Sequence, residues 1–127
     1  LKLHADAPTP LCTVTAYGPG FIEINKTRYL TALRLAPDAV EPLDLAGFDA
    51  LQPEHFAALL PARPQVVLLG SGERQRFPPP RLTRALIEAR IGVEAMTTAA
   101  ACRTYNILMA EGRRVLALLL LDFRGDH

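Results

Sequence analysis

The chain has 127 residues, 50% hydrophobic and 21% charged, a composition that supports one packed domain over 1–127. Fourteen Lys and Arg against thirteen Asp and Glu leave a net charge of +1, which gives no general pull toward nucleic acid or an anionic membrane. Dominant disorder, collagen-like repeats, coiled coils and disulfide scaffolds do not fit these numbers.

Residues 1–10 are polar and proline-containing and, like 122–127, are expected to be loosely held tails. Leu11 to Tyr17 is rich in β-branched residues and predicts a strand. Gly18-Pro19-Gly20 is a turn signal, and Phe21 to Ile24 reads as a second strand. Asn25-Lys26 breaks it, and Arg28 to Leu35 returns as a third, giving an antiparallel β meander. Val40 to Leu45 contains Pro42 and is therefore an edge strand at best. Pro53 to Leu60 predicts a short helix with proline in its first turn, stopped by Pro61 and Pro64.

The second half changes period. Gln65 to Leu69 is a continuous apolar run closed by Gly70-Ser71-Gly72, which reads as a strand buried on both faces. Arg81 to Arg90 is an amphipathic helix with Leu82, Ala85, Leu86 and Ala89 on one stripe, and Gly92 is expected in its C-cap region. Val93 to Met96 is a short strand. Thr97 or Thr98 then caps a helix to about Glu111, ended by Gly112. Val115 to Leu121 is a second fully buried strand. It is the longest apolar run, at seven residues, far short of the roughly 20 that cross a bilayer. Strand, helix, strand, helix, strand packed against a meander gives a layered α/β domain.

Charge is uneven along the chain. Residues 1–62 hold four basic and seven acidic residues, and residues 63–127 hold ten and six. The two cysteines, Cys12 and Cys102, make no disulfide framework and fit a reducing cytoplasm. His4, His55 and His127 are scattered without ligand spacing, so no metal is expected. Arg124-Gly125-Asp126 matches an adhesion tripeptide by accident of composition. The first residue is Leu1, which leaves open whether residues precede it.

Three features carry candidate chemistry. Gly70, Ser71 and Gly72 end a central strand, where open α/β sheets take ligands and where glycines let backbone N–H groups approach an anion. They are equally a plain tight turn, because no third glycine and no Gly-Lys-Ser/Thr follows. Arg74 leads a run with Arg76, Arg81 and Arg84 that either rings an anion or forms a solvated surface. The start of the long helix supplies Thr97 and Thr98, with Cys102, Tyr105 and Asn106 on roughly one stripe. Cys102 beside Arg103 reads first as core and alternatively as an activated thiol. Tyr105 and Asn106 either bond backbone or take part in binding.

Three stretches together carry a resemblance. They are Tyr17-Gly18-Pro19-Gly20-Phe21-Ile22, the run Val66 to Gly72, and Gly92 to Val115 with its Met96-Thr97-Thr98 and Cys102-Arg103-Thr104-Tyr105-Asn106 segments. From about Tyr17 to Leu121 the chain resembles the small-domain family that includes the mitochondrial complex I (NADH:ubiquinone oxidoreductase) assembly factor and the adipogenesis-associated domain protein. The resemblance implies a three-layer α/β fold: a mixed central sheet, helices on one side, and further strands and a helix on the other. It implies no established activity, no cofactor and no agreed catalytic residue.

The reading that follows is a non-enzymatic binding or assembly module. Its cleft lies between the Gly70–Gly72 turn and the Thr97–Asn106 helix start, and its partner is an unknown protein. The alternative is an enzyme or binder acting on a small anionic ligand in the same cleft, with Cys102 or Tyr105 in the chemistry. A third is a structural subunit that uses an exposed sheet edge or an oligomer interface. Nucleic acid and membrane insertion are not expected.

Overall fold

The structure is a computed structural model that describes residues 10–122. His4, His127, Arg124-Gly125-Asp126 and all but Pro10 and Asp122 of the expected tails lie outside the described residues.

The chain opens with three antiparallel strands, β1 (Val14–Gly18), β2 (Phe21–Ile24) and β3 (Thr27–Tyr29), in the order β1-β2-β3. The β2–β3 hairpin turns on Asn25 and Lys26, both at positive φ (48° and 74°), as a two-residue hairpin loop demands. Each residue of β4 (Ala32–Ala36) pairs with one of β5 (Ala39–Leu43). These two belong to a second sheet with β6 (Val66–Gly70), β7 (Gly92–Met96) and β8 (Val115–Leu119), in the order β5-β4-β8-β6-β7. The predicted third strand over 28–35 is therefore two strands in two sheets, parted at Leu30 and Thr31. Exposure explains the split: β3 is largely exposed, whereas Ala32, Leu33 and Leu35 of β4 are wholly buried. Pro42 does sit on an edge strand, β5, as its missing N–H requires.

Strands β6, β7 and β8 run parallel, and β4 is antiparallel to β8. The chain steps outward from β6 to β7 through α2 (Pro80–Glu88), then back over β6 to β8 through α3 (Thr98–Ala110). Crossovers of one hand in opposite directions put the two helices on opposite faces. Accordingly Leu82 and Leu86 of α2 pack with Val67, Leu69, Leu116 and Leu118, while Cys102, Tyr105 and Met109 of α3 pack with Val66, Leu68, Val115 and Ala117. The small sheet joins α3 through Val14, Ile22 and Ile24, and α1 (Pro53–Ala57) joins α2 through Phe56. Three layers result, as expected: α1 and α2, then the mixed five-stranded sheet, then α3 with the meander. The continuous apolar runs mark β6 and β8 because both lie between layers and are buried along their whole length.

Two helix ends differ from their predicted form. α1 stops at Ala57, and Leu60–Ala62, with Pro61 inside, makes a separate 3-10 turn. α2 closes at Ala89 with Arg90 in the left-handed region (φ 63°), so Gly92 is not its cap but the first residue of β7. The N–H of Ile91 bonds the carbonyl of Leu86 and that of Arg90 the carbonyl of Ile87, both needed to satisfy the final turn. α3 ends in the same pattern with Gly112 at φ 82°.

Candidate functional site

Adjacent parallel strands whose following helices lie on opposite faces leave a crevice at their carboxyl ends, the usual ligand position in such sheets. Here that crevice lies between the ends of β6 and β7, where Gly70-Ser71-Gly72 meets Met96-Thr97-Thr98. Internal hydrogen bonds close it. Ser71 N–H donates to the Met96 carbonyl (2.8 Å), and the single Ser71 hydroxyl proton lies between the carbonyls of Arg74 (2.7 Å) and Met96 (3.1 Å). Gly72 N–H donates to Thr98 Oγ1 (2.9 Å), Thr98 N–H donates to the Gly72 carbonyl (2.9 Å), and Thr98 Oγ1 donates to the Leu120 carbonyl (2.7 Å).

Glycine is required at both turn positions. A Cβ on Gly70 would lie 2.9 Å from Thr98 Cα, so side-chain-free backbone is what lets α3 press onto β6. Gly72 has φ 105°, and a Cβ there would collide with the carboxylate of Asp122. That carboxylate accepts a bond from Glu73 N–H (2.6 Å), so the segment after β8 closes over the turn.

Thr97 is the N-cap of α3: its Oγ1 accepts from Ala100 N–H (3.2 Å). The first N–H groups of the helix are thereby partly used within the protein. The remaining helix candidates lie on its inner face. Cys102 is fully buried, and burial pushes its thiol up to about 12 against the opposing pull of Arg103. A thiol so held is protonated at neutral pH and is a poor nucleophile. The Tyr105 hydroxyl donates to the Cys12 carbonyl (2.7 Å), and burial raises its pKa, as do Cys12 and Asp38 nearby. Asn106 Nδ2 donates to the Val14 carbonyl (2.8 Å) and Asn106 Oδ1 accepts from Val14 N–H (2.9 Å). Tyr105 and Asn106 thus bind backbone, one of the two roles their stripe allowed.

Gly70, Ser71, Gly72, Thr97 and Thr98 are brought together, then, while Cys102, Tyr105 and Asn106 lie behind them. Arg74 lies to one side. It lines a depression of about 520 Å³ with Ser71, Arg76, Asp49, Asp122 and Phe48. Arg76 is already paired with Asp49 (2.8 Å) and stacked over Phe48, and two carboxylates offset the two guanidinium groups, which weakens any pull on an anion.

On the other side is a second hollow, of about 410 Å³, that motif reading did not single out. The β1–β2 turn, Tyr17 to Phe21, overhangs the start of α3. Gly72, Thr97, Thr98, Ala99, Leu121 and Asp122 are among the other residues that line it. Tyr17 is held in place by Arg103, whose Nη1 donates to its hydroxyl (2.8 Å), and the Phe21 ring is covered by Arg28 at 3.9 Å. The signal for this wall was the Gly18-Pro19-Gly20 turn between two aromatic residues. Among the described residues no helix is long and apolar enough to cross a membrane, and no group of three or more His, Cys, Asp or Glu is placed to hold a metal ion.

A family described as "Protein of unknown function (DUF498/DUF598)" matches residues 14–120. The chain is 31% identical over 71 residues to a Francisella tularensis protein named "13 kDa major membrane protein", covering 56% of this chain and 58% of that one. It is 28% identical over 120 residues to bovine NADH dehydrogenase [ubiquinone] 1 alpha subcomplex assembly factor 3, covering 93% of this chain and 65% of that one. It therefore spans less than two thirds of the length of either relative. The crystal structure of a Bordetella parapertussis protein superposes with a TM-score of 0.82 at 45% identity, covering 90% of this chain and 98% of that one.

Proposed function

The chain belongs to the DUF498/DUF598 family of proteins of unknown function, and from that premise we propose that it is a non-enzymatic module that binds a protein partner through the hollow beneath the β1–β2 turn. The observation that carries this reading is the wall of Tyr17 and Phe21 standing over the amino end of α3, open to solvent beside a crevice that is itself closed. Aromatic side chains are enriched at the centres of protein interfaces. The role named for the bovine relative, assembly factor, supports a protein as the occupant.

In this reading Gly72, Thr97 and Thr98 form the floor. Gly70, Ser71, Cys102, Tyr105 and Asn106 hold that floor and its roof in position, and Arg74 lies at the outer rim. The protein works in the cytoplasm, where the free thiols Cys12 and Cys102 stay reduced. Cell fractionation tests the location, and recovery with membranes would overturn it.

The decisive experiment is affinity capture with the full chain from its native cell, repeated with Ala99→Glu and Tyr17→Ser. Glutamate fills the mouth of the hollow yet suits the first turn of a helix. Partner recovery should fall at least about tenfold, equivalent to about 1.4 kcal/mol, while the melting temperature is retained. Undiminished recovery by both folded variants would remove this surface from the reading.

A further inference from the structure

The two edges of the five-stranded sheet are not treated alike. β5 carries Pro42, which blunts pairing, whereas β7 carries no proline and no lysine. The parallel register of β7 with β6, and the bond from Ser71 N–H to the Met96 carbonyl, turn the backbone groups of Gly92, Glu94 and Met96 inward. Those of Val93 and Ala95 point outward. The Ala95 carbonyl accepts from Gln75 Nε2 (3.0 Å). The Val93 N–H, the Val93 carbonyl and the Ala95 N–H have no hydrogen-bond partner among the described residues.

Beside this edge lies a hollow of about 680 Å³, which shares no lining residue with the one under the β1–β2 turn. Its walls include Phe77 and Ile87, 71% and 57% exposed, and Val93. Glu94 is exposed and falls on the opposite face of the sheet, in register with Leu68 of the α3 side.

We propose that β7 accepts an added strand from a different protein, an extended segment in which apolar and basic side chains alternate. Three main-chain groups in a row, without partners among the described residues, are what an added extended backbone pairs with. Successive guest side chains fall on alternate faces. One set drops into the hollow against Phe77 and Ile87, and the other meets Glu94. Arg90 lines the end of the hollow where β7 begins, so the basic position is the one facing Glu94 and not that end. A second copy of this chain fits poorly. A two-fold centred on Glu94 sets the two carboxylates directly opposite, and one centred on Val93 leaves them diagonal, about 7–8 Å apart, with like charge on one face.

The test uses the full ¹⁵N-labelled chain and two capped synthetic heptapeptides, Thr-Val-Lys-Val-Lys-Val-Thr and its Glu-for-Lys counterpart. The lysine peptide should shift the Val93 and Ala95 amide resonances and slow their hydrogen exchange. The glutamate peptide should bind about two- to fivefold more weakly, and Glu94→Lys should reverse that preference. Shifts confined to other elements, or no discrimination between the peptides, would overturn the proposal. So would concentration-dependent shifts at Val93 without peptide, which would make a second copy the occupant.

Discussion

The side-chain amide of Asn106 lies edge to edge with the backbone of Val14, donating to its carbonyl at 2.8 Å and accepting from its N–H at 2.9 Å. One residue of α3 thus supplies the main-chain pairing that a neighbouring strand would otherwise give β1. Together with the Tyr105 hydroxyl on the Cys12 carbonyl, it fastens the small sheet to the helix.

Asn106→Ala should therefore destabilise the protein by about 1–3 kcal/mol, because two buried backbone groups lose their partner. Urea unfolding measures this. A loss within about 0.5 kcal/mol, the range of a neutral surface change, would show that water replaces the amide freely.

The Thr98 hydroxyl receives the Gly72 N–H and donates to the Leu120 carbonyl. Thr98→Val keeps the shape and strands both groups, so it should cost about 1–3 kcal/mol, and Thr98→Ser should recover most of that. Thermal unfolding of the pair distinguishes bonding from packing, since a merely steric role predicts the opposite order.

Gly70→Ala places a methyl 2.9 Å from backbone that cannot swing aside, and a cost of about 1–3 kcal/mol is expected. Gly92→Ala meets open space and should change stability by less than about 0.5 kcal/mol. Equal melting temperatures for the two variants would refute the close approach of α3 to β6.

Burial holds the Cys102 thiol protonated up to about 12, above its unfolded value of 9.0. The folded state therefore keeps a proton that the unfolded state gives up. Stability is intact below pH about 9 and falls as pH rises toward 12, by up to about 1.4 kcal/mol per pH unit for this group. Tyr105 is shifted in the same direction and adds to the loss. Denaturant titrations at several alkaline pH values should show a shallower decline in Cys102→Ala, whatever its absolute stability. In the native protein below pH 9, iodoacetamide should leave Cys102 unmodified.

Local pattern revealed what depends on local pattern. The apolar runs Gln65 to Leu69 and Val115 to Leu121 announce the interior strands that form over Val66–Gly70 and Val115–Leu119, and Leu82 and Leu86 announce the buried face of α2, because burial is written into residue type and period. The break at Leu30 was hidden because one stretch of alternation serves two sheets in succession. The reversal at Arg90 was missed because a non-glycine residue takes the left-handed position. At the candidate site, Gly70, Ser71, Gly72, Thr97 and Thr98 were legible as a turn and a helix start. That they bond to one another, and that Asp122 closes over Gly72, depends on partners 25 to 49 positions away, which no periodicity records.

The Asn106 clamp joins positions 92 apart, and Tyr105 reaches 93 back to Cys12. During synthesis β1 leaves the ribosome long before the helix that secures it. The meander must wait, its apolar Ile22 and Ile24 uncovered, until α3 has emerged and docked. Nascent chains stalled before residue 98 should consequently be open to protease at the meander, and the full released chain, in which β8 has joined β6 beneath α3, should be protected.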